Sequence, residues 1–206
     1  MAIGAPVRSR ARAVVDGSRA TVVNILFFLL DTIFFILVGC ALLRGWMNHL
    51  RVHMQAQPGR FAIAVTDWLV KPSRRVLPKA LAQSRFDWGS FLAAVLLALA
   101  YGGARLALSV GFGGTEVSPV AVLLGIAWLA GGFLIRVVLQ GLMVMLLVYA
   151  VLSWVQPGAP VMGTLDRLVS PLLNPVRRVV PTIGGVDLSV LVLLLLLQVA
   201  MLALGV

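Results

Sequence analysis

Acidic residues are scarce in this chain. Seven Asp and Glu face 17 Lys and Arg, a formal net charge of +10, and all but two of the basic residues are Arg. Residues of either charge make up only 12% of the 206 positions while 61% are hydrophobic, against roughly a quarter charged in an ordinary soluble domain. With a mean hydropathy of +1.04, the chain has too few polar groups to cover a globular surface and must use lipid as part of its solvent. Cysteine is nearly absent too. Cys40 stands alone, which excludes an intramolecular disulfide and a thiolate metal cluster. No nucleophile–base pair or paired-carboxylate constellation is present, so an enzymatic reading finds no support and no cofactor is implied. The basic excess falls between apolar runs without a nucleic-acid-binding module, which points to anionic lipid headgroups as partner.

What the chain does have is long hydrophobic runs. Residues 1–21 hold Arg8, Arg10, Arg12 and Arg19 without apolar periodicity and read as a mobile tail. Apolar runs follow from Val22 to Leu43, from Trp88 to Val110, from Val120 to Trp154 and from Leu188 to Val206. Each is long enough for one crossing at roughly 20 residues per span. The third, at 35 residues, is roughly 52 Å as helix; lacking a turn near Arg136, it reads as one long bent helix, with five spans as the alternative. The reading is therefore an all-α membrane protein of about four transmembrane helices. Cys40 is read as a small packing residue, or alternatively as the end of a lipobox-like Leu37-Val38-Gly39-Cys40; the run continues through Ala41, Leu42 and Leu43.

The chain repeats itself. Pro72-Ser-Arg74-Arg75-Val-Leu-Pro78 returns 103 residues later as Pro175-Val-Arg177-Arg178-Val-Val-Pro181. Upstream of each lies an apolar run ending in Trp46 or Trp154; downstream, Asp87 or Asp187 opens the next run. These order the chain as a tail (1–21), a first repeat (22–110), a linker turn with an apolar extension (111–136) and a second repeat (137–206).

Within the second copy, Leu165, Leu168, Val169, Leu172, Leu173 and Val176 recur at helical steps, with Asp166, Arg167, Asn174, Arg177 and Arg178 between them. That pattern predicts an amphipathic element lying in the membrane interface, its Arg pair toward phosphates. Pro171 and Pro175 predict a break into short helices, with Asn174 as an N-cap. The same chemistry makes Asp87 and Asp187 helix caps. Asp31, Arg105 and Arg136 fall roughly 22–27 Å from the tryptophan-marked end of their runs, which predicts an ion pair of Asp31 with one of the arginines. His49 and His53, four apart, are read as interfacial polar residues rather than metal ligands.

The two units, and above all Tyr149-Ala-Val-Leu-Ser-Trp154, Ser170-Pro-Leu-Leu-Asn-Pro-Val-Arg-Arg-Val-Val-Pro181 and Gly184-Gly-Val-Asp-Leu-Ser189, resemble the YggT family of bacterial membrane proteins, related to the YlmG proteins. The first copy keeps Pro72, Arg74, Arg75, Pro78 and Asp87 but lacks the Gly-Gly turn. The resemblance implies a multi-pass protein of the cell inner membrane linked to osmotic-stress tolerance, cell division or nucleoid organisation. For chloroplast relatives it implies assembly of the cytochrome b6 haem. The sequence thus supports a non-enzymatic scaffold or assembly factor that meets lipid headgroups, other membrane proteins or further copies of itself. A transporter or channel component, or a haem-handling factor, are the alternatives. With four spans, the two motif loops carry eight and three Lys/Arg, and the positive-inside rule puts them in the cytoplasm with both termini outside.

Overall fold

The computed structural model describes residues 5–52, 58–76, 87–113, 118–180 and 187–205. Among them it has six helices and no strand: α1 (Ala5–His49), α2 (Gly59–Val76), α3 (Trp88–Gly113), α4 (Pro119–Val155), α5 (Met162–Arg177) and α6 (Leu188–Leu204). The segments Ala20–His49, Trp88–Gly111 and Pro119–Val155 are long and apolar enough to cross a membrane. The fourth apolar helix, α6, has 17 residues, roughly 25 Å at 1.5 Å per residue.

Element order makes the repeat visible. A long apolar helix, an amphipathic helix and an apolar helix occur twice, as α1–α2–α3 and as α4–α5–α6. In each unit the amphipathic helix packs on both of its neighbours, and α4 also packs along α1 and α3. One core gathers Val38 and Ala41 of α1, Ala94, Leu97, Ala98 and Tyr101 of α3, and Ala130, Phe133 and Val137 of α4. A second holds Leu146 and Tyr149 of α4, Leu165, Val169 and Leu173 of α5, and Val190 of α6. Van der Waals fit, rather than exclusion of water, holds apolar helices together in lipid. Gly102 supplies such a fit, since a Cβ there would lie 2.7 Å from the Ile126 carbonyl oxygen.

Two local expectations change, those for the N-terminal tail and for the proline breaks, while the reading of the third run as a single helix holds. The Arg-rich start is helical from Ala5; its Ala and Arg residues have high intrinsic helix propensity and need no apolar stripe. The long third run is one unbroken helix of 37 residues, started by Pro119 at its first position and by the Ser118 hydroxyl, which accepts the Ala121 amide at 3.3 Å. The prolines do not break the interfacial elements: α5 runs through Pro171 and Pro175, and α2 runs through Pro72. Asn174 is therefore inside α5 rather than at a cap. Pro171 and Pro175 are one turn apart on the exposed face, beside Arg167. The carbonyls left without amide donors consequently lie along one solvated stripe.

Candidate interfacial site

The two amphipathic helices gather at one end of the bundle. At the C-terminal end of α1, Trp46 donates its indole N–H to the Leu168 carbonyl of α5 at 3.2 Å, and Met47, Val52 and Leu168 pack together beneath it. The first repeat thus touches the interfacial helix of the second. His49 stacks on Trp46 with ring centroids 6.0 Å apart, and His53 lies outside the described residues.

In the first unit, Asp87 precedes α3 and caps it. The Ser90 amide and hydroxyl both donate to the carboxylate, at 3.2 and 2.9 Å. Arg74, in the last turn of α2, donates from Nη2 to Asp87 Oδ2 at 2.7 Å. Its aliphatic stem crosses Gly89 so closely that a Cβ there would collide with Arg74 Cγ. The second unit has the same construction. The Ser189 amide donates to Asp187 Oδ1 at 3.0 Å, and Arg177 reaches Asp187 Oδ2 from Nε at 2.8 Å and from Nη2 at 2.6 Å. Arg177 Nη2 also donates to the Tyr149 hydroxyl at 3.3 Å, and that hydroxyl donates to Asp166 at 3.3 Å. Each aspartate therefore caps a helix and clamps the preceding interfacial helix to it. The Pro78 and Pro181 ends of the motifs lie outside the described residues; Pro72 and Pro175 are exposed on their helices.

The electrostatics suit a static clamp. Burial alone would raise the Asp87 carboxyl, but the hydrogen bonds from Arg74 and Ser90 and the Arg74 charge outweigh it and hold the group below the ordinary carboxylate range. Asp187 follows the same balance, with Arg177 and Ser189 as its partners. Burial works against the charge of Arg177, yet Asp187 and Tyr149 raise its pKa. A third pairing anchors α2: Arg44 Nη1 contacts Asp67 at 3.0 Å and Lys71 contacts it at 2.5 Å. Hydrogen bonds from Lys71, then Arg44, depress the Asp67 carboxyl.

The expectation that both arginines of each pair face phosphates is thus altered. The first of each pair, Arg74 or Arg177, is occupied by an aspartate of its own repeat. The second, Arg75 or Arg178, is exposed and makes no ion pair among the described residues. The site this leaves is two equivalent exposed guanidiniums held by two equivalent clamps. Spacing did not disclose the clamps, because Arg and Asp are separated by 13 residues in one copy and 10 in the other. Their signal was the co-occurrence of opposite charges in both copies.

Further along the bundle, Asp31 of α1 accepts from Arg105 Nη1 at 2.9 Å, while Arg136 Nη1 is 3.9 Å away. Tyr101, which sequence reasoning overlooked, donates its hydroxyl to Asp31 at 2.8 Å. Its position one turn before Arg105 was the available clue. The Arg105 guanidinium also lies 5.0 Å from the centre of the Phe27 ring. Cys40 is buried inside the unbroken α1. Among the described residues, no group of three or more His, Cys, Asp or Glu is placed to hold a metal ion.

The repeat that the geometry shows twice is also matched twice by one family: the CCB3/YggT model covers residues 23–108 and again 128–206. The chain belongs to the CCB3/YggT family. It is 35% identical over 179 residues to "Uncharacterized protein YggT" of Escherichia coli (strain K12), covering 85% of this chain and 87% of that relative. It is 33% identical over 187 residues to "Uncharacterized protein in proC 3'region" of Vibrio alginolyticus, covering 88% and 94%. An "Uncharacterized protein" of Haemophilus influenzae is 27% identical over 157 residues, covering 76% and 78%. None of these names carries an enzymatic activity. No solved structure matches the chain. In this CCB3/YggT protein, the paired clamps lie within the two matched segments.

Proposed function

We propose that the chain is a multi-pass protein of the cell inner membrane that works as a non-enzymatic scaffold. Its two clamped amphipathic helices present Arg75 and Arg178 to anionic headgroups on the cytoplasmic face and hold a surface there for partner proteins. The observation that carries this reading is the duplicated clamp, Arg74–Asp87 and Arg177–Asp187. It fixes two basic helices at one end of an apolar bundle, and each exposed Arg near an anionic surface adds roughly 1 kcal/mol of attraction. The loops that bear the helices carry eight and three Lys/Arg against four in the N-terminal tail on the other side, a balance that favours a cytoplasmic position. Asp31, Tyr101 and Arg105 hydrogen-bond to one another across α1 and α3, an arrangement that ties helices together and so favours a scaffold over a lined transport path.

Osmotic-stress tolerance or cell division is the setting that the family resemblance suggests. In a host deprived of its own family member, the chain should restore growth at high osmolarity. Arg75→Glu with Arg178→Glu should lose that rescue while reaching the membrane in equal amount. Full rescue by the charge-reversed protein would refute the proposal.

A further inference from the structure

The internal repeat makes one groove conspicuous. Aligned on Trp46 and Trp154, and on Asp87 and Asp187, the units pair Gly39 with Leu147, Ala94 with Leu194 and Ala98 with Gln198. In the first unit this cleft between α1 and α3 is filled by a helix of the other unit. Val137 of α4 packs on Gly39, where a Cβ would meet its Cγ1 at 3.8 Å, and Phe133 and Val137 share a core with Ala94 and Ala98. In the second unit the equivalent cleft between α4 and α6 is an open apolar groove of about 400 Å³. Met143, Val144, Leu147, Leu194 and Leu195 line it, with Gln198 as the one polar side chain.

Gln198 is out of keeping with this setting. It is exposed and has no hydrogen-bond partner among the described residues. It lies 11 residues beyond Asp187, roughly 16 Å along the helix and so near the middle of a core about 30 Å thick. An amide there finds no water, and its donors and acceptor gain most from a partner across a helix–helix contact.

We propose that the α4/α6 groove is the contact surface for a second copy of this chain, with the Gln198 amides of the two copies hydrogen-bonded across a two-fold axis. A primary amide is its own complement, offering donor and acceptor to an identical group. A two-fold axis brings the same patch of each copy together. The remaining lining has no charge that would select a different partner. The first unit shows that a cleft of this design accepts a helix. This inference rests on the reading that α6 lies in the bilayer.

The test uses full-length protein in liposomes, with Cys40→Ser so that an introduced thiol is the only one. Leu195→Cys, in the groove and with Gln198 intact, should form a disulfide-linked dimer on oxidation, whereas Leu123→Cys, exposed on the first turns of α4, should not. Energy transfer between labelled copies should show Gln198→Leu dimerising roughly tenfold more weakly, the loss of two interhelical hydrogen bonds, and Gln198→Asn retaining association. Undiminished association of Gln198→Leu, or equal crosslinking at Leu123→Cys, would overturn the proposal. If Leu195→Cys neither crosslinks nor reacts with a water-soluble maleimide, the dimer alone is refuted. Ready reaction with that maleimide would refute the membrane placement of α6 as well.

Discussion

Arg177 holds Asp187 from two nitrogens, at 2.8 and 2.6 Å, across the end of α5 and the start of α6. The same carboxylate caps α6 through the Ser189 amide. Two tasks on one side chain can be separated by substitution. Asp187→Asn keeps a capping oxygen and loses the ion pair, and should destabilise by about 1 kcal/mol, the partly exposed pair being screened. Asp187→Ala should cost about 1 kcal/mol more, the worth of a cap. Thermal unfolding in detergent would show both steps, and equal losses for the two variants would contradict the dual role.

The clamps also set a pH dependence. Asp87 and Asp187 are both depressed by their arginines in the folded protein. Their stabilisation is therefore complete above the unfolded carboxyl value, near 3.9, and is lost as pH falls through the lower folded values. Stability should be flat from neutrality to about pH 5 and decline below about pH 4. The part of that decline contributed by Asp187 should vanish in Asp187→Asn. An unchanged acid limb in that variant would assign the transition to other groups.

How much of this was legible in sequence follows from the range of each interaction. Apolar runs and capping aspartates are local patterns, so α3, α4 and α6 were visible, as was the carboxylate before α3 and before α6. The continuous α5 was not. A local rule says that Pro171 and Pro175 break a helix, and only placement on a solvated face shows how their missing amides are tolerated. The Arg–Asp clamps and the Trp46–Leu168 contact depend on how chain segments return to one another, which no local periodicity encodes. Asp31 is an intermediate case. Depth along the helices narrowed its partners to two arginines, and packing of α1 on α3 places Arg105 at hydrogen-bond distance.

That geometry distinguishes two charge swaps. Asp31→Arg should destabilise the protein, since it sets a third cation among Arg105 and Arg136. Adding Arg105→Asp should recover more stability than adding Arg136→Asp, because Arg105 is at 2.9 Å and Arg136 at 3.9 Å. Tyr101→Phe removes one hydrogen bond to Asp31 and should cost roughly 0.6 kcal/mol, a typical value for such bonds in membranes. Equal recovery by both swaps, measured by unfolding in mixed micelles, would contradict the assignment.

Close packing of α3 on α4 makes a contrast between glycines. Gly102→Ala must push α4 away from the Ile126 carbonyl, since the new Cβ would lie 2.7 Å from it, and should cost roughly 1–3 kcal/mol. Gly132→Ala, in α4 with nothing within 4 Å of its Cβ, should be neutral or slightly stabilising through helix propensity. A harmless Gly102→Ala would mean the two helices are not in backbone contact.

The division of labour within each Arg pair has a direct test. Purified protein would be titrated with nanodiscs or vesicles containing phosphatidylglycerol, alongside thermal unfolding, for two double variants. Arg75→Ala with Arg178→Ala should lower affinity for the anionic lipid, more so at low salt, and leave the melting temperature nearly unchanged. Arg74→Ala with Arg177→Ala should instead lower the melting temperature, since each leaves a capping aspartate without its counter-charge. Loss of lipid affinity confined to the Arg74 and Arg177 variant, with Arg75 and Arg178 dispensable, would contradict the clamped-scaffold account.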